Sequence, residues 1–256
     1  MTSSFIEAEY EQKLKAPTQN QEAILKRWRL STFFVVLVGY IGYYLCRGNL
    51  SAALPLLSRT FGYSNTQLSF ILSISELAYA AGKLINGPLA DRVGGKNIFI
   101  CGMVGALLAN LLFSQLEGLI GFTIVWCFCR YFLSMGWGGL IKVIGAWFPQ
   151  EKNGTIMGFV SINFQMGGGV ALLYSGFILS LGYSWQALFI IPALTLGLIA
   201  FVSIFASRNH PHQVFPNVRF GESASKKTSL MGWEKEDKAL SPKVIFLGLL
   251  KKPIFC

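Results

Sequence analysis

Six stretches of this 256-residue chain are apolar over a length that crosses a bilayer: 30–56, 67–89, 97–115, 119–146, 154–180 and 186–206. A hydrocarbon core of about 30 Å takes roughly 20 helical residues to span. No water is present there to satisfy N–H and C=O groups, so only helices or a closed barrel cross it. The runs are solidly apolar and do not alternate every second residue, which selects helices. Composition agrees, with 53% apolar and only 13% charged residues, where soluble domains carry about one quarter charged. The chain reads as an all-α polytopic membrane protein.

The net charge of +10 does not indicate nucleic acid, because of where it lies. Seventeen of the 22 Lys and Arg residues precede span one, join spans two and three or four and five, or follow span six. Arg59 alone lies on the other side, and Arg47, Lys83, Arg130 and Lys142 are inside spans. This asymmetry is the positive-inside pattern, and it predicts cytoplasmic termini. The expected location is a plasma (inner) membrane. The polar N-terminus lacks the order of a signal peptide. Of five cysteines, Cys46, Cys101, Cys127 and Cys129 fall inside spans and Cys256 on the cytoplasmic side, which argues against disulfides. Cys127-Phe-Cys129 is not a metal spacing, and no histidine is near it. Neither a metal nor a cofactor is expected.

The charges inside spans carry the functional signal. A guanidinium at mid-bilayer costs roughly 2.5–3.5 kcal/mol on insertion scales, and arginine cannot shed its proton to avoid that cost. Arg47 sits well inside span one and therefore predicts an interior site that holds an anion. Lys83 lies in span two, with Glu76 two helical turns before it. Arg130 and Lys142 lie in span four, the latter near enough to its end to snorkel. Four positive charges against one negative suit an anionic ligand, and Arg is suited to bidentate pairing with phosphate or carboxylate. In span five Asn163 and Gln165 precede Gly167-Gly168-Gly169. Three glycines are costly in a helix interior, so close helix approach or a local break is expected there.

The chain divides into a cytoplasmic segment 1–29, a six-helix bundle 30–206, a polar cytoplasmic loop 207–243 and the start of a seventh helix at 244–256. A short amphipathic helix is expected within that loop, near Met231 to Leu240. This plan reads like half of a larger protein. Spans two and three are joined by Gly87-Pro88-Leu89-Ala90-Asp91-Arg92-Val93-Gly94-Gly95-Lys96. That string resembles the loop motif G-x-x-x-D-R-x-G-[GR]-[KR] of the major facilitator superfamily, which implies a structural or gating role for Gly87, Asp91, Arg92, Gly95 and Lys96.

GYIGYYLCRGNLSAALP, AYAAGKLINGPLADR, MGWGGLIKVIGAWF and SINFQMGGG resemble stretches of the organophosphate:phosphate antiporters of that superfamily, the glycerol-3-phosphate and hexose-phosphate transporters. The implied fold is the six-transmembrane-helix N-terminal half of the superfamily. The resemblance implies substrate binding by Arg47, with Lys83 and Lys142 at the family's basic positions, and coupling or packing through Arg130. Tyr44 and Gln165 are candidate hydrogen-bond donors to the substrate, and Glu76 is a candidate coupling acid. The chain departs from the family pattern in four places. Gly48 stands where lysine is common, Gly138-Gly139 replaces paired prolines, Phe164 replaces a histidine, and Glu76 is an added acid.

The implied function is secondary transport of an organic anion, a sugar or glycerol phosphate exchanged for inorganic phosphate by alternating access. The expected partners are that anion, the bilayer, and either a missing C-terminal half or a second copy of the chain. A sugar-phosphate sensor that binds without transport is an alternative, as is a symporter of a non-phosphate anion. Glu76 is the one acid available to a proton-coupled mechanism, which ranks that class lower. No nucleophile–base pair or metal cluster points to an enzyme.

Overall fold

A computed structural model describes residues 18–148 and 150–215, with the side chains of residues 150–153 and 164 outside that description. The helices are α1 (Gln19–Phe61), α2 (Asn65–Val93), α3 (Gly95–Phe113), α4 (Leu119–Leu133), α5 (Met135–Trp147), α6 (Gln150–Ser180) and α7 (Ala187–Ala206), followed by a 3₁₀ turn at Pro211–Gln213. Six helical segments are long and apolar enough to cross a membrane, with α4 and α5 together forming one of them. The rest of the expected loop, its amphipathic helix, the start of a seventh helix and the segment before residue 18 lie outside the described residues.

Local chemistry sets the helix ends. Thr18 and Gln21 form a capping box that starts α1, as Ser64 and Gln67 do for α2. Helix α1 therefore begins well before the expected residue 30 and runs 43 residues, about 65 Å at 1.5 Å per residue and twice the hydrocarbon thickness. The expected third span ends at Phe113 and not at residue 115. A single residue, Gly94, separates α2 from α3 at φ +93° and ψ 145°, a conformation that a side chain disfavours. The fourth span is interrupted at Ser134, whose Oγ donates to the Tyr131 carbonyl and accepts from Asn86 Nδ2 of α2 at 2.8 Å.

Helix α1 packs against α6 and α7, α2 against α4, and α3 against α4, α5 and α7. Half of the apolar window is buried in α1, α3 and the α4–α5 span, but only 22% in α2 and 24% in α6. Helices α2 and α6 are thus peripheral, and their exposed Leu84, Ile85, Leu172 and Leu173 are side chains that a bilayer accepts. An aromatic cluster of Phe61, Phe113, Phe122, Trp185 and Phe189 locks one end of the bundle, with Phe113 and Phe189 stacked at 4.3 Å. Mid-bundle, fully buried Asn49 donates to Asn110 Oδ1 at 2.6 Å and to the Leu188 carbonyl at 3.1 Å. Asn110 Nδ2 in turn donates to the Ala106 carbonyl and contacts Cys129 Sγ at 3.2 Å. These bonds join α1, α3, α4 and α7.

The glycine triplet does not break α6, which is continuous through it. Gly167 serves close approach instead, since a Cβ there would meet the Tyr44 ring at 2.6 Å. The first residues of the expected solvated loop pack back on the bundle. Asn209 accepts from the Lys96 backbone N–H at 2.7 Å, and Pro211 is buried. Replacing Asn49 with Leu strips Asn110 Oδ1 and the Leu188 carbonyl of a donor. The expected loss is about 1–2 kcal/mol of stability, read as a lower thermal midpoint of the purified protein. An unchanged midpoint contradicts that role.

Candidate functional site

Each helix that builds the site brings its groups at helical spacing. On α1, Tyr44, Arg47 and Ser51 share a face, and on α2 the stripe is Glu76, Tyr79 and Lys83. Helix α4 contributes Trp126 and Arg130, one turn apart. A cavity of about 290 Å³ lies between these helices and α6, lined by Tyr44, Arg47, Gly48, Ser75, Glu76, Trp126, Arg130 and Gly168 among others.

Cations dominate the site and converge on one aromatic ring. The centroid of the Tyr79 ring is 5.0 Å from the Arg47 guanidinium carbon, 4.9 Å from that of Arg130 and 4.8 Å from Lys83 Nζ. All three lie within the roughly 6 Å over which a ring quadrupole attracts a cation. Arg47 also lies 5.7 Å from the Tyr44 ring, which packs edge-on to Tyr40. Among the described residues the single carboxylate lining the cavity is Glu76, and it pairs with Arg130 Nη2. The Arg130 side chain is only 4% exposed while that of Glu76 is 58% exposed. A buried guanidinium costs several kcal/mol of hydration unless paired, so Glu76 answers Arg130. Arg47 makes no ion pair or hydrogen bond among the described residues.

The structure sorts the expected site residues into three groups. Arg47, Tyr44, Lys83, Glu76 and Arg130 come together. Gln165 is exposed and does not line the cavity, and α6 contributes Gly168, Ala171 and Leu172 there instead. Its neighbour Asn163 donates to the Leu37 carbonyl at 3.0 Å, a packing role. Lys142, expected in the substrate-binding group, is placed apart from the residues that line the cavity. It lies in α5 toward the end where α2 meets α3, and it pairs with Asp91. No residue of α5 is among those lining the cavity.

The loop motif is a bracing device. Gly95 and Gly139 bring α3 and α5 into contact, each leaving no space for a Cβ beside the other's carbonyl, at 2.9 and 2.8 Å. Lys96 Nζ donates to the carbonyls of Ile204 and Ser207 at 2.7 and 2.8 Å, satisfying the end of α7. Arg92 is exposed with no ion-pair partner among the described residues, and nothing lies within 4 Å of the Cβ position at Gly87. Tyr79, on whose ring three cations converge, is the residue of this cluster that sequence reasoning passed over. Its signal was its place between Glu76 and Lys83 on one helix face.

Fold and site together define a multi-pass membrane protein with a cation-rich interior cavity. The family model of the Major Facilitator Superfamily matches residues 36–255, and the chain belongs to that superfamily, a family of transporters and not of enzymes. Among similar curated proteins, the glycerol-3-phosphate transporter of Bacillus subtilis (strain 168) is 29% identical over 194 residues, 74% of this chain and 44% of that protein. The phosphoglycerate transporter protein of Salmonella typhimurium is 27% identical over 202 residues, 78% of this chain and 44% of that one. The membrane sensor protein UhpC of the same organism is 19% identical over 211 residues, 82% and 48% respectively. The chain thus spans about half the length of these relatives. A crystal structure of a bacterial homologue of the human lysosomal transporter Spinster, inward-facing and unoccupied, shares the fold. Its TM-score is 0.64 at 16% identity, over 84% of this chain and 50% of that one.

Two measurements check this geometry. The Lys142 and Asp91 side chains are 46% and 56% exposed, so a double-mutant cycle should give a coupling of only about 0.2–1 kcal/mol. A value of several kcal/mol contradicts a half-exposed pair. Tyr79→Phe should leave the thermal midpoint nearly unchanged, whereas Tyr79→Leu removes the ring shared by three cations and lowers stability by about 1–2 kcal/mol. Equal midpoints for the two variants argue against the cation–π role.

Proposed function

We propose that this chain is one half of a secondary transporter for organic phosphates, with Arg47 as the residue that takes the phosphate. The observation that carries this reading is Arg47 itself, a half-buried guanidinium beside the cavity with no carboxylate partner among the described residues. Its position in GYIGYYLCRGN matches the phosphate-binding arginine of the family's first helix. The glycerol-3-phosphate and phosphoglycerate transporters among its relatives support the substrate class. Arg47 offers a fork of donors to the phosphate oxygens, Lys83 adds field, and Tyr44 supplies a hydroxyl. Glu76 and Arg130, the candidate coupling residues, form an ion pair that lines the same cavity.

Exchange for inorganic phosphate follows from charge. Carrying an unneutralised cationic cavity through an occluded state costs desolvation, and a bound anion removes that cost. The loaded form therefore reorients and the empty one does not. Parallel halves holding substrate near the midplane require a second six-helix unit, supplied by further sequence, another polypeptide or a second copy of this chain. The distribution of Lys and Arg supports a plasma (inner) membrane orientation with cytoplasmic termini. In that plan the segments before the first span and after the sixth are cytoplasmic.

The similarity to the sensor UhpC supports a second reading, a receptor that binds sugar phosphate without moving it. Counterflow of labelled phosphate in proteoliposomes separates the two, since a receptor binds ligand but shows no flux. Arg47→Lys replaces a bidentate fork with a point charge and should weaken phosphate binding about ten- to a hundredfold. Wild-type affinity in that variant removes Arg47 from the role.

A further inference from the structure

The Glu76–Arg130 pair lies inside the candidate cavity and not remote from it, and both residues are lining groups. We propose that Glu76 is an internal stand-in for an acidic group of the substrate. Arg130 is then a second anion position, and the cavity selects organic phosphates that also carry a carboxylate. This rests on the organic-phosphate reading of Arg47 and narrows it.

Three observations carry the assignment. First, Arg130 and Arg47 face one ring, with guanidinium carbons 4.9 and 5.0 Å from the Tyr79 centroid. Their separation cannot exceed those two distances together, a gap that a short acid phosphate bridges. Second, Arg130 has spare donor capacity. Its Nε–H is buried and donates to nothing among the described residues, although the side chain lines the cavity. A carboxylate gripping a guanidinium bidentately uses such a donor. Third, the pair is asymmetric, with Arg130 4% and Glu76 58% exposed.

That asymmetry sets the selectivity. Glu76 lines the cavity and is not enclosed by this bundle, so it can swing out of the pair. Arg130 cannot, and opening the pair without a replacement anion strands a buried charge. A ligand with phosphate alone occupies Arg47 and Lys83 and leaves the pair closed. A ligand that also presents a carboxylate takes the place of Glu76 on Arg130, and one ion pair is exchanged for another.

The test uses the full chain in lipid nanodiscs and two probes, glycerol 3-phosphate and 3-phosphoglycerate. They differ in a hydroxymethyl group against a carboxylate at the end remote from phosphate. Glu76→Gln removes the competitor and should raise 3-phosphoglycerate affinity by about tenfold or more. Glycerol 3-phosphate affinity should then change by less than about threefold, the field effect of one half-exposed charge. Arg130→Gln should collapse the ratio between the probes toward one. If that variant does not fold, the neutral double variant E76Q/R130Q buries no lone charge and should show the same collapse. An equal gain for both probes in Glu76→Gln, or a preserved ratio in the Arg130 variants, overturns the proposal. Arg47-dependent binding with such a result would overturn this proposal alone. Failure of the wild type to bind either probe overturns the organic-phosphate reading beneath it.

Discussion

A helix bundle in hydrocarbon has no water to hydrate a stray polar group, so each one must be answered from inside the protein. That constraint organises this molecule at three depths. At mid-depth the Asn49–Asn110 bonds to Leu188 and Cys129 hold four helices by side-chain amides. At the Ser134 interruption, Asn86 and Tyr131 close a second polar cluster between α2 and α4. At the loop end, Lys96 satisfies the terminal carbonyls of α7. Arg130 obeys the same rule with Glu76. Arg47, half-buried beside the cavity, has no carboxylate or hydrogen-bond partner among the described residues and is answered only by the Tyr44 and Tyr79 rings.

Neighbouring helices position the cationic site without themselves being charged. Gly48 approaches Ala171 of α6, where an added Cβ would stand 3.2 Å from the alanine Cβ, and Gly167 lets α6 close on Tyr44. Small residues at a helix contact allow this proximity where no hydrophobic force draws helices together. The result is an α1 face with Tyr44 and Arg47 held at fixed height beside the α2 stripe of Glu76, Tyr79 and Lys83. Tyr79 then works as a shared spacer, whose ring reduces the mutual repulsion of three cations.

Much of this was legible in the sequence, because hydropathy and intramembrane charge are properties of single segments. The six spans, the short turn before Lys96 and the presence of charge inside the spans depend on no pairing between helices. What stayed hidden depends on helix rotation and register. Nothing in one segment says that Glu76 meets Arg130 of α4 and not Lys83 on its own helix, or that Lys142 turns to Asp91. Asn49 and Asn110 carried a signal as polar residues in apolar runs, but their contact spans distant parts of the chain. The early start of α1 was readable from Thr18-x-x-Gln21, and hydropathy alone outweighed it because the helix begins outside the apolar stretch.

The single-residue joint at Gly94 makes this region intolerant of changes in length. Helix α3 starts at once after it, and one inserted residue would turn the whole of α3 by about 100° relative to α2. Gly95, Gly102 and Gly105, which now meet Gly139 and Phe132 without room for a Cβ, would rotate off α4 and α5, and bulkier neighbours would take their places. Lys96 would swing away from the end of α7 in the same step. The length of the joint is fixed by the pitch of the helix that follows, and its residues by the positive φ at Gly94 and the close approach at Gly95.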